Sequence, residues 1–316
     1  MTDNGIVRWA GGFVLGTGRC GSTLVSEALA LHPHVLSLSE LFTSLSPNIF
    51  PAGLISGEEF WGLISSRTGL ISWLIKVRAE PGEFLYPVDD DEYLFDRVSG
   101  VPGIAATTLP SLTSEPDILY HWLSKAVPEF PEQSAGQHYL QLFSLLASWM
   151  YRFRWVERSG ASGFYAQQLV SSFPEARFVH LTRESNATAH SMSRHSAFRL
   201  TALWQEFYNR CGSDIFRGEP PSADIPPELE NLVPERFSKD AFESWSPGLE
   251  IFRQMVSYQA ESIRAALEEL PSQQVHTLSY EDLIDQPVAE FSRLAEFFEL
   301  DDPITWSRQA ADLVHR

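Results

Sequence analysis

Lysine is nearly missing from this 316-residue sequence: only Lys76, Lys125 and Lys239 are lysines among its 23 basic residues. Basic residues of either kind are themselves outnumbered, since 41 Asp and Glu residues give a net charge of -18 at pH 7. So acidic a surface repels nucleic acid and anionic lipid at long range, which excludes a broad nucleic-acid-binding face. Any anion site must therefore be local and built on arginine, whose planar guanidinium grips phosphate and sulfate through two hydrogen bonds.

Cysteine and long apolar segments are also scarce. The two cysteines, Cys20 and Cys211, are too few for a disulfide framework and do not make a metal site. No stretch approaches the roughly 20 apolar residues of a membrane-spanning helix. The first apolar run, at 13–15, is broken at once by glycine, so nothing resembles a signal peptide. We expect a soluble, cytoplasmic protein with no membrane span and no metal.

Short apolar runs alternate with helical patterns at both ends of the chain. Before residue 41 the sequence predicts a strand at 13–16, a helix at 22–31 and a strand at 35–40. After residue 160 it predicts helices at 162–174, 185–197 and 250–270, strands at 176–182 and 274–280, a loop at 219–234 and a final helix at 286–299. This alternation is typical of an α/β fold with a central, mostly parallel sheet flanked by helices.

The region 41–150 lacks that alternation. It has frequent Pro and Gly residues, with helical patterns near 58–78, 117–127 and 136–152. Its many aromatic residues fit either ordinary core packing or a helical cap over the pocket of a substrate beside a nucleotide-binding core. Because the sequence shows no internal repeat, we interpret 1–316 as one domain with a helical cap inserted at about 41–150.

A glycine-rich loop separates the first strand from the first helix. Its residues are Gly16, Thr17, Gly18, Arg19, Cys20, Gly21, Ser22 and Thr23. Glycine lets a backbone approach a ligand closely, and the free N–H groups at a helix N-terminus favour an anion. The expected ligand is therefore a phosphate-type group, and the alternative is a tight turn that binds nothing.

Two nucleotide-binding patterns overlap this loop. Gly16, Gly18 and Gly21 fit G-x-G-x-x-G, and Glu40 lies about where a dinucleotide fold carries its ribose-binding acid. Such a fold, however, has further βα units soon after the first, and the sequence predicts none before residue 160. The Walker spacing fits as well, with Ser22 in place of the lysine that reaches the β- and γ-phosphates. An arginine inside the loop restores part of that charge, which favours an anion other than a nucleoside triphosphate.

The segment 16–24 resembles the 5′-phosphosulfate loop, G-x-x-R-x-G-[ST]-[ST]-L, of sulfotransferases that use 3′-phosphoadenosine 5′-phosphosulfate (PAPS). It is similar to the branch with arginine in the loop, which includes tyrosylprotein and many bacterial sulfotransferases. There a His-Pro pair and then a glutamate follow the helix, as His32, Pro33 and Glu40 do here. The resemblance implies a P-loop-like three-layer fold, PAPS as co-substrate and adenosine 3′,5′-bisphosphate (PAP) as product.

The same family holds the 3′-phosphate of PAPS with an arginine that ends a strand and a serine eight positions later. Arg183 and Ser191 match this pair in order and spacing. The segment 276–300 is similar to the Tyr-Glu-x-Leu unit that flanks the nucleotide in the family. Arg158 stands where many relatives carry a lysine, and the R-K-G-x-x-G segment of the cytosolic enzymes is absent. The resemblance covers about 15–45 and 155–300.

This resemblance implies roles for several side chains. Glu40 is expected to take the proton of the acceptor hydroxyl and Arg19 to neutralise charge on the sulfuryl group, while His190 and His195 are rival bases. The expected reaction sulfates a hydroxyl of a small-molecule, lipid-like or carrier-tethered acceptor without a metal. The alternatives are an NAD(P)-dependent oxidoreductase and a non-catalytic nucleotide-binding module. Acceptor identity and oligomeric state stay open.

Overall fold

A computed structural model of the chain describes residues 11–46, 49–67, 69 and 71–314. In chain order its strands are β1 (Gly11–Gly16), β2 (Val35–Ser39), β3 (Leu54–Ile55), β4 (Gln133–Ser134), β5 (Arg154–Arg158), β6 (Arg177–Thr182) and β7 (Val275–Ser279). Five of them form a parallel sheet in the order β2-β5-β1-β6-β7, and β3 pairs with β4 in an antiparallel ribbon. All six residues of β1 are buried, as a central strand covered on both faces requires.

Sixteen α-helices surround the sheet in the described part of the chain. Those before β5 are α1 (Ser22–Ala30), α2 (Leu41–Leu45), α3 (Gly57–Ile64), α4 (Ile71–Lys76), α5 (Gly103–Ala106), α6 (Thr108–Leu112), α7 (Pro116–Ala126) and α8 (Ala135–Trp149). Those after β5 are α9 (Ala166–Ser172), α10 (Ser185–Met192), α11 (Ser196–Cys211), α12 (Lys239–Ser244), α13 (Leu249–Glu268), α14 (Tyr280–Asp285), α15 (Pro287–Phe297) and α16 (Pro303–Ala311).

Side chains on the two faces of the sheet enter two separate cores. Phe13 packs with Phe42, Phe143 and Trp155 on one face, whereas Val14 packs with apolar residues of α1, α15 and α16 on the other. Successive residues of a strand point to opposite faces, so β1 alone joins both cores. The predicted fold class, an α/β sheet between layers of helices, is confirmed.

The region 41–150 packs directly on the sheet. Phe42 at its start and Phe143 in α8 belong to the same core as Phe13, and the Phe42 and Phe13 rings lie 6.2 Å apart. The interpretation of the whole chain as one domain with an inserted cap stays a prediction.

Several predicted boundaries were wrong. The helix expected at 185–197 is two helices, because the chain turns at 193–195 between α10 and α11. The pattern near 58–78 likewise divides into α3 and α4, which are separated by a segment rich in Ser, Thr and Gly, residues of low helix propensity. Within 162–174 the helix α9 follows a 3₁₀ turn, and the loop at 219–234 contains another.

Several further elements were not predicted from the sequence, among them β5 and α16. The strand β5 lies between β2 and β1 although three of its five residues are charged, which hides the apolar run that marks a buried strand. The helix at 286–299 is not the last, because α16 follows it. Asp302 caps α16 through the Thr305 N–H, and Pro303 stands in its first turn, where proline fits a helix.

Candidate active site

A cavity of about 310 Å³ opens at the carboxyl ends of the sheet strands. Each of the five strands is followed by a residue that lines it: Gly18 after β1, Glu40 after β2, Gly160 after β5, Arg183 after β6 and Tyr280 after β7. Ligands of open α/β sheets bind at this edge. The fold therefore brings the sequence-predicted loop, carboxylate and second arginine to one place.

Two glycines of the loop lie where a side chain would clash with an aromatic ring. Gly18 and Gly21 have φ angles of 78° and 92°, a left-handed region that favours glycine. A Cβ at Gly18 would lie 2.2 Å from the Phe198 ring, and one at Gly21 would lie 2.2 Å from the Tyr280 ring. Within the described residues no side chain caps the N-terminus of α1, so its first N–H groups have no capping acceptor. This arrangement suits an anion at the helix N-terminus.

Six of the predicted cofactor residues line the cavity: Gly18, Arg19, Gly21, Ser22, Thr23 and Arg183. Gly16, Thr17, Cys20 and Ser191 are not in its wall. Cys20 is fully buried, and burial raises the pKa of its thiol although the N–H groups of the loop act in the opposite direction. The Cys20 side chain thus fills the interior of the loop as a neutral thiol.

Arg19 joins the loop to the predicted 3′-phosphate pair. Its Nε donates a hydrogen bond to the Ser191 Oγ at 3.3 Å, and Arg183 Nη1 donates to the Arg19 carbonyl oxygen at 2.8 Å. The Arg183 guanidinium also lies over the Tyr280 ring, 4.5 Å from its centroid. Tertiary contact therefore brings two guanidinium groups to one cavity wall and bonds the Ser191 hydroxyl, which is not in that wall, to one of them. Sequence spacing alone did not establish this.

Glu40 is held in a buried ion pair. It precedes α2 as its N-cap residue, has a φ of 56° and is 7% exposed. One carboxylate oxygen accepts a hydrogen bond from Arg158 Nη1, and the other accepts from the Gly160 N–H at 2.9 Å. Arg158, itself 3% exposed, also donates to Ser39 Oγ at 2.8 Å. Because Ser39 and Arg158 are register partners in β2 and β5, the sheet itself sets this pair, and Arg158 orients the carboxylate.

A second carboxyl group lies beneath this pair. Burial raises the pKa of Glu157 to about 8, and the charge of Glu40 acts in the same direction, whereas the hydrogen bond from Ser159 opposes it. Ser159 Oγ donates to Glu157 at 2.5 Å and accepts the N–H of Phe42 at 3.0 Å. Glu157 is therefore mostly neutral at pH 7, and through Ser159 it connects β5 to α2.

Glu157 predicts a pH dependence of folding stability. A carboxyl group whose pKa is higher in the folded state binds its proton there while the unfolded chain has lost it. The free energy of unfolding should therefore fall as pH rises from about 4.5 to about 8. The side chain introduced by Glu157→Gln is neutral at every pH. The free energy of unfolding of this variant should therefore depend less on pH in this window, and the variant should gain stability relative to wild type towards pH 8. Urea denaturation between pH 5 and 8.5 measures this, and parallel curves for the two proteins would contradict it.

Glu83, which the sequence did not reveal, is the partner in the site of His195, one of the two rival bases. Glu83, from the segment between α4 and α5, accepts hydrogen bonds from Arg19 Nη1 at 2.8 Å and pairs with His195 Nε2 at 2.9 Å. Burial acts to raise the pKa of Glu83, but the hydrogen bond and charge of His195 and the charge of Arg19 outweigh it and bring the pKa to about 2. Of the two rival histidines, His195 lines the cavity, whereas His190 is exposed. No local motif marks Glu83.

Membrane-spanning helices and metal-binding clusters are both absent from the described residues. None of the helices there combines the length and apolar character needed to cross a membrane. No group of three or more His, Cys, Asp or Glu side chains in the same part of the chain is arranged to hold a metal ion.

No family model and no curated protein matches the chain in sequence comparison. Solved structures do match across nearly its whole length. A sulfotransferase domain from the curacin biosynthetic pathway is 15% identical with a TM-score of 0.49, covering 94% of this chain and 77% of that one. A sulfotransferase from Mycobacterium tuberculosis is 17% identical with a TM-score of 0.41, covering 97% of this chain and 71% of that one. One from Alicyclobacillus acidocaldarius is 14% identical with a TM-score of 0.38, covering 98% of this chain and 97% of that one. The structural neighbours compared with this chain are thus sulfotransferases of low sequence identity.

Proposed function

We propose that the protein is a sulfotransferase that moves a sulfuryl group from PAPS to an acceptor hydroxyl. The observation that carries the proposal is the meeting of Arg19, Arg183 and Ser191 through direct hydrogen bonds. PAPS has two separate anionic groups, one at each end of its ribose, and this cavity offers a guanidinium for each. ATP and NAD(H) lack a 3′-phosphate and give Arg183 no equivalent partner.

The residues of the cavity fit the donor. The N-terminus of α1, which no described side chain caps, suits its 5′-phosphosulfate, and Ser22 and Thr23 add hydroxyl donors. Arg19 would neutralise charge at the sulfuryl group, and Arg183 with Ser191 would hold the 3′-phosphate. When bound, PAPS supplies the sulfuryl group and a phosphate leaving group, which departs as PAP.

Glu40 is the proposed base. It lines the cavity, and Arg158 and the Gly160 N–H fix its orientation. As the new bond forms between sulfur and the acceptor oxygen and the bond from sulfur to the phosphate oxygen breaks, Glu40 takes the acceptor proton. The positive charges and the proton acceptor of this scheme are side chains of the protein, so the scheme needs no metal.

The acceptor is proposed to carry its hydroxyl on an apolar body. Part of the cavity wall is apolar, formed by Ile71, Pro81 and Phe84 from the 41–150 region and by Ala197 and Phe198 from α11. Apolar walls favour ligands that bury apolar surface. A small molecule, a lipid-like molecule or an acyl group tethered to a carrier meets this requirement.

The first test is thermal stabilisation by PAP, compared with ATP and NADH. A ligand present at 100 times its dissociation constant adds about 2.7 kcal/mol of apparent stability. We expect PAP to stabilise the wild type and Arg183→Ala to lose most of that effect, because the 3′-phosphate loses its guanidinium. Arg210→Ala is a matched control, since Arg210 lies on the surface in an ion pair with Glu228.

Two results would reject the proposal. If NADH stabilises the protein and PAP does not, the loop binds a dinucleotide and Glu40 becomes a ribose ligand. If PAP stabilises wild type and Arg183→Ala equally, Arg183 does not hold the 3′-phosphate.

A further inference from the structure

Thr43 holds the glycine that contacts the proposed base. Its Oγ1 donates a hydrogen bond to the Gly160 carbonyl oxygen at 2.6 Å, and the Gly160 N–H donates to Glu40 Oε2 at 2.9 Å. Gly160 lies against the carboxylate itself, because a Cβ added to it would be 3.2 Å from Glu40 Oε1. Glu40, the N-cap residue of α2, and Thr43, in its first turn, thus bind the N–H and the carbonyl of the same glycine.

A second hydroxyl fixes the orientation of the Thr43 side chain. Tyr165 OH lies 3.2 Å from Thr43 Oγ1, and a threonine hydroxyl has one proton. Because that proton goes to the Gly160 carbonyl oxygen, which only accepts, Tyr165 is the donor of this contact. Burial raises the pKa of the Tyr165 hydroxyl well above its ordinary value, so the phenol keeps its proton at neutral pH. Donation therefore runs in one direction, from Tyr165 to Thr43 to Gly160.

The turn that contains Gly160 is also tied to the backbone of α2. Ser159 Oγ accepts the Phe42 N–H at 3.0 Å and the Thr43 N–H at 3.3 Å. Ser159 is 1% exposed, whereas Thr43 is exposed and lines the cavity. The contacts of Ser159 thus join α2 to the end of β5 inside the protein, and the Thr43 hydroxyl makes its contact with the same turn at the cavity wall.

Thr43 is separate from the proposed donor-binding groups. In the described part of the chain it makes no hydrogen bond to Arg19, Arg183 or Ser191. It carries no charge, so its replacement by a neutral side chain leaves the charges of the cavity unchanged. We therefore expect a change at Thr43 to affect the placement of the base and to leave donor binding intact.

We propose that Thr43 is a positioning residue for sulfuryl transfer. By holding Gly160 through its carbonyl, Thr43 keeps the Gly160 N–H on Glu40 and fixes the direction in which the carboxylate meets the acceptor proton. Arg158 and Gly160 each occupy one acceptor position of this carboxylate, which has about four, so a position is left for the proton. The rate of proton transfer depends strongly on the placement of the base. This inference rests on the proposed function.

The test compares Thr43→Val, which removes the hydroxyl and keeps the shape, with Thr43→Ser, which keeps the hydroxyl. Thr305→Val is the matched control, because Thr305 is likewise the third residue of its helix, is exposed and is not in the cavity wall. Rates are measured against PAPS with an alcohol or phenol that the wild type sulfates. We expect Thr43→Val to lower kcat about tenfold and to keep the KM for PAPS within about twofold of wild type. Thr43→Ser and Thr305→Val should keep kcat within about threefold.

Amide hydrogen exchange gives a readout that does not depend on the acceptor. The Gly160 N–H, followed by NMR, should exchange about tenfold faster in Thr43→Val than in wild type, because its hydrogen bond to Glu40 opens more often. Thr43→Ser and Thr305→Val should exchange at the wild-type rate. Tyr165→Phe removes the donor to Thr43 and is the second variant should Thr43→Val not fold; it should change kcat and the Gly160 exchange rate in the same directions.

The outcomes separate this inference from the function on which it rests. If PAP does not bind, or if the wild type sulfates no acceptor, the proposed function fails and this inference fails with it. If the wild type sulfates an acceptor and Thr43→Val keeps its kcat, or Thr43→Ser loses as much as Thr43→Val, the proposed function stands and the role of Thr43 is overturned. An unchanged Gly160 exchange rate in Thr43→Val overturns it as well. So does a raised KM for PAPS at unchanged kcat, because Thr43 would then contact the donor.

Discussion

Glu40→Gln is expected to remove sulfuryl transfer while PAP binding survives. The amide has no basic oxygen to take the acceptor proton, and positioned proton transfer contributes about 10²–10⁴-fold to enzymatic rates. The PAP-binding groups, Arg19, Arg183 and Ser191, make none of their hydrogen bonds to Glu40. The measurement is the transfer of labelled sulfate from PAPS to an acceptor. A screen of apolar alcohols and phenols with the wild type provides that acceptor, and PAP binding is measured on the same proteins.

The design must separate lost chemistry from lost folding. Glu40→Gln leaves Arg158 without its carboxylate in a buried site, so the double variant Glu40→Gln/Arg158→Met provides a neutral pair in the same place. Glu92→Gln is the control for removal of a carboxylate from the surface. Retained transfer in a folded Glu40→Gln protein would reject Glu40 as the base and leave His195 as the remaining candidate. A wild type that binds PAP and sulfates no acceptor would favour a non-catalytic nucleotide-binding module.

Arg158→Met is expected to lower the free energy of unfolding by about 3–5 kcal/mol, the usual cost of removing one partner of a buried ion pair. Methionine fills much of the arginine volume, so the cost arises chiefly from the Glu40 carboxylate, which keeps the Gly160 N–H but loses its counter-charge. Ser39 Oγ loses a donor as well. Urea denaturation at pH 7 measures the change.

An exposed ion pair gives the comparison. Arg210 Nη1 lies 2.7 Å from Glu228 Oε1, and the two side chains are 43% and 57% exposed. Arg210→Met should therefore lower the free energy of unfolding by only about 0–1 kcal/mol. Because the double variant at Glu40 and Arg158 removes both charges, it should be more stable than Arg158→Met alone. If Arg158→Met costs no more than Arg210→Met, the buried pair does not stabilise the fold.

Within the five-stranded sheet, the sequence marks the strands that contain an apolar run or an alternating apolar pattern and misses β5, in which charged residues interrupt that pattern. β1 follows from the run Phe13 to Leu15, and β6 follows from its buried apolar residues Phe178, Val179 and Leu181. β5 contains Glu157 and Arg158 and was missed, because its charged residues contact partners in the site and have no reason to keep an apolar pattern. Similarly, the turn between α10 and α11 serves the position of His195, and the helical pattern on either side of it conceals the break.

The sequence by itself determined the α/β class and the glycine loop after β1, because strand runs, helix periodicity and loop spacing are local properties. The candidates Glu40, Arg19, Arg183 and Ser191 came from its resemblance to the sulfotransferase family. Only the tertiary structure decided the partners of these side chains. Arg158 reaches Glu40 across 118 residues, and Glu83 reaches Arg19 from a segment without a motif. Such pairs depend on strand order and on the packing of the 41–150 region against the sheet. Ion pairs of this kind depend on distance in space, whereas a sequence pattern records only distance along the chain.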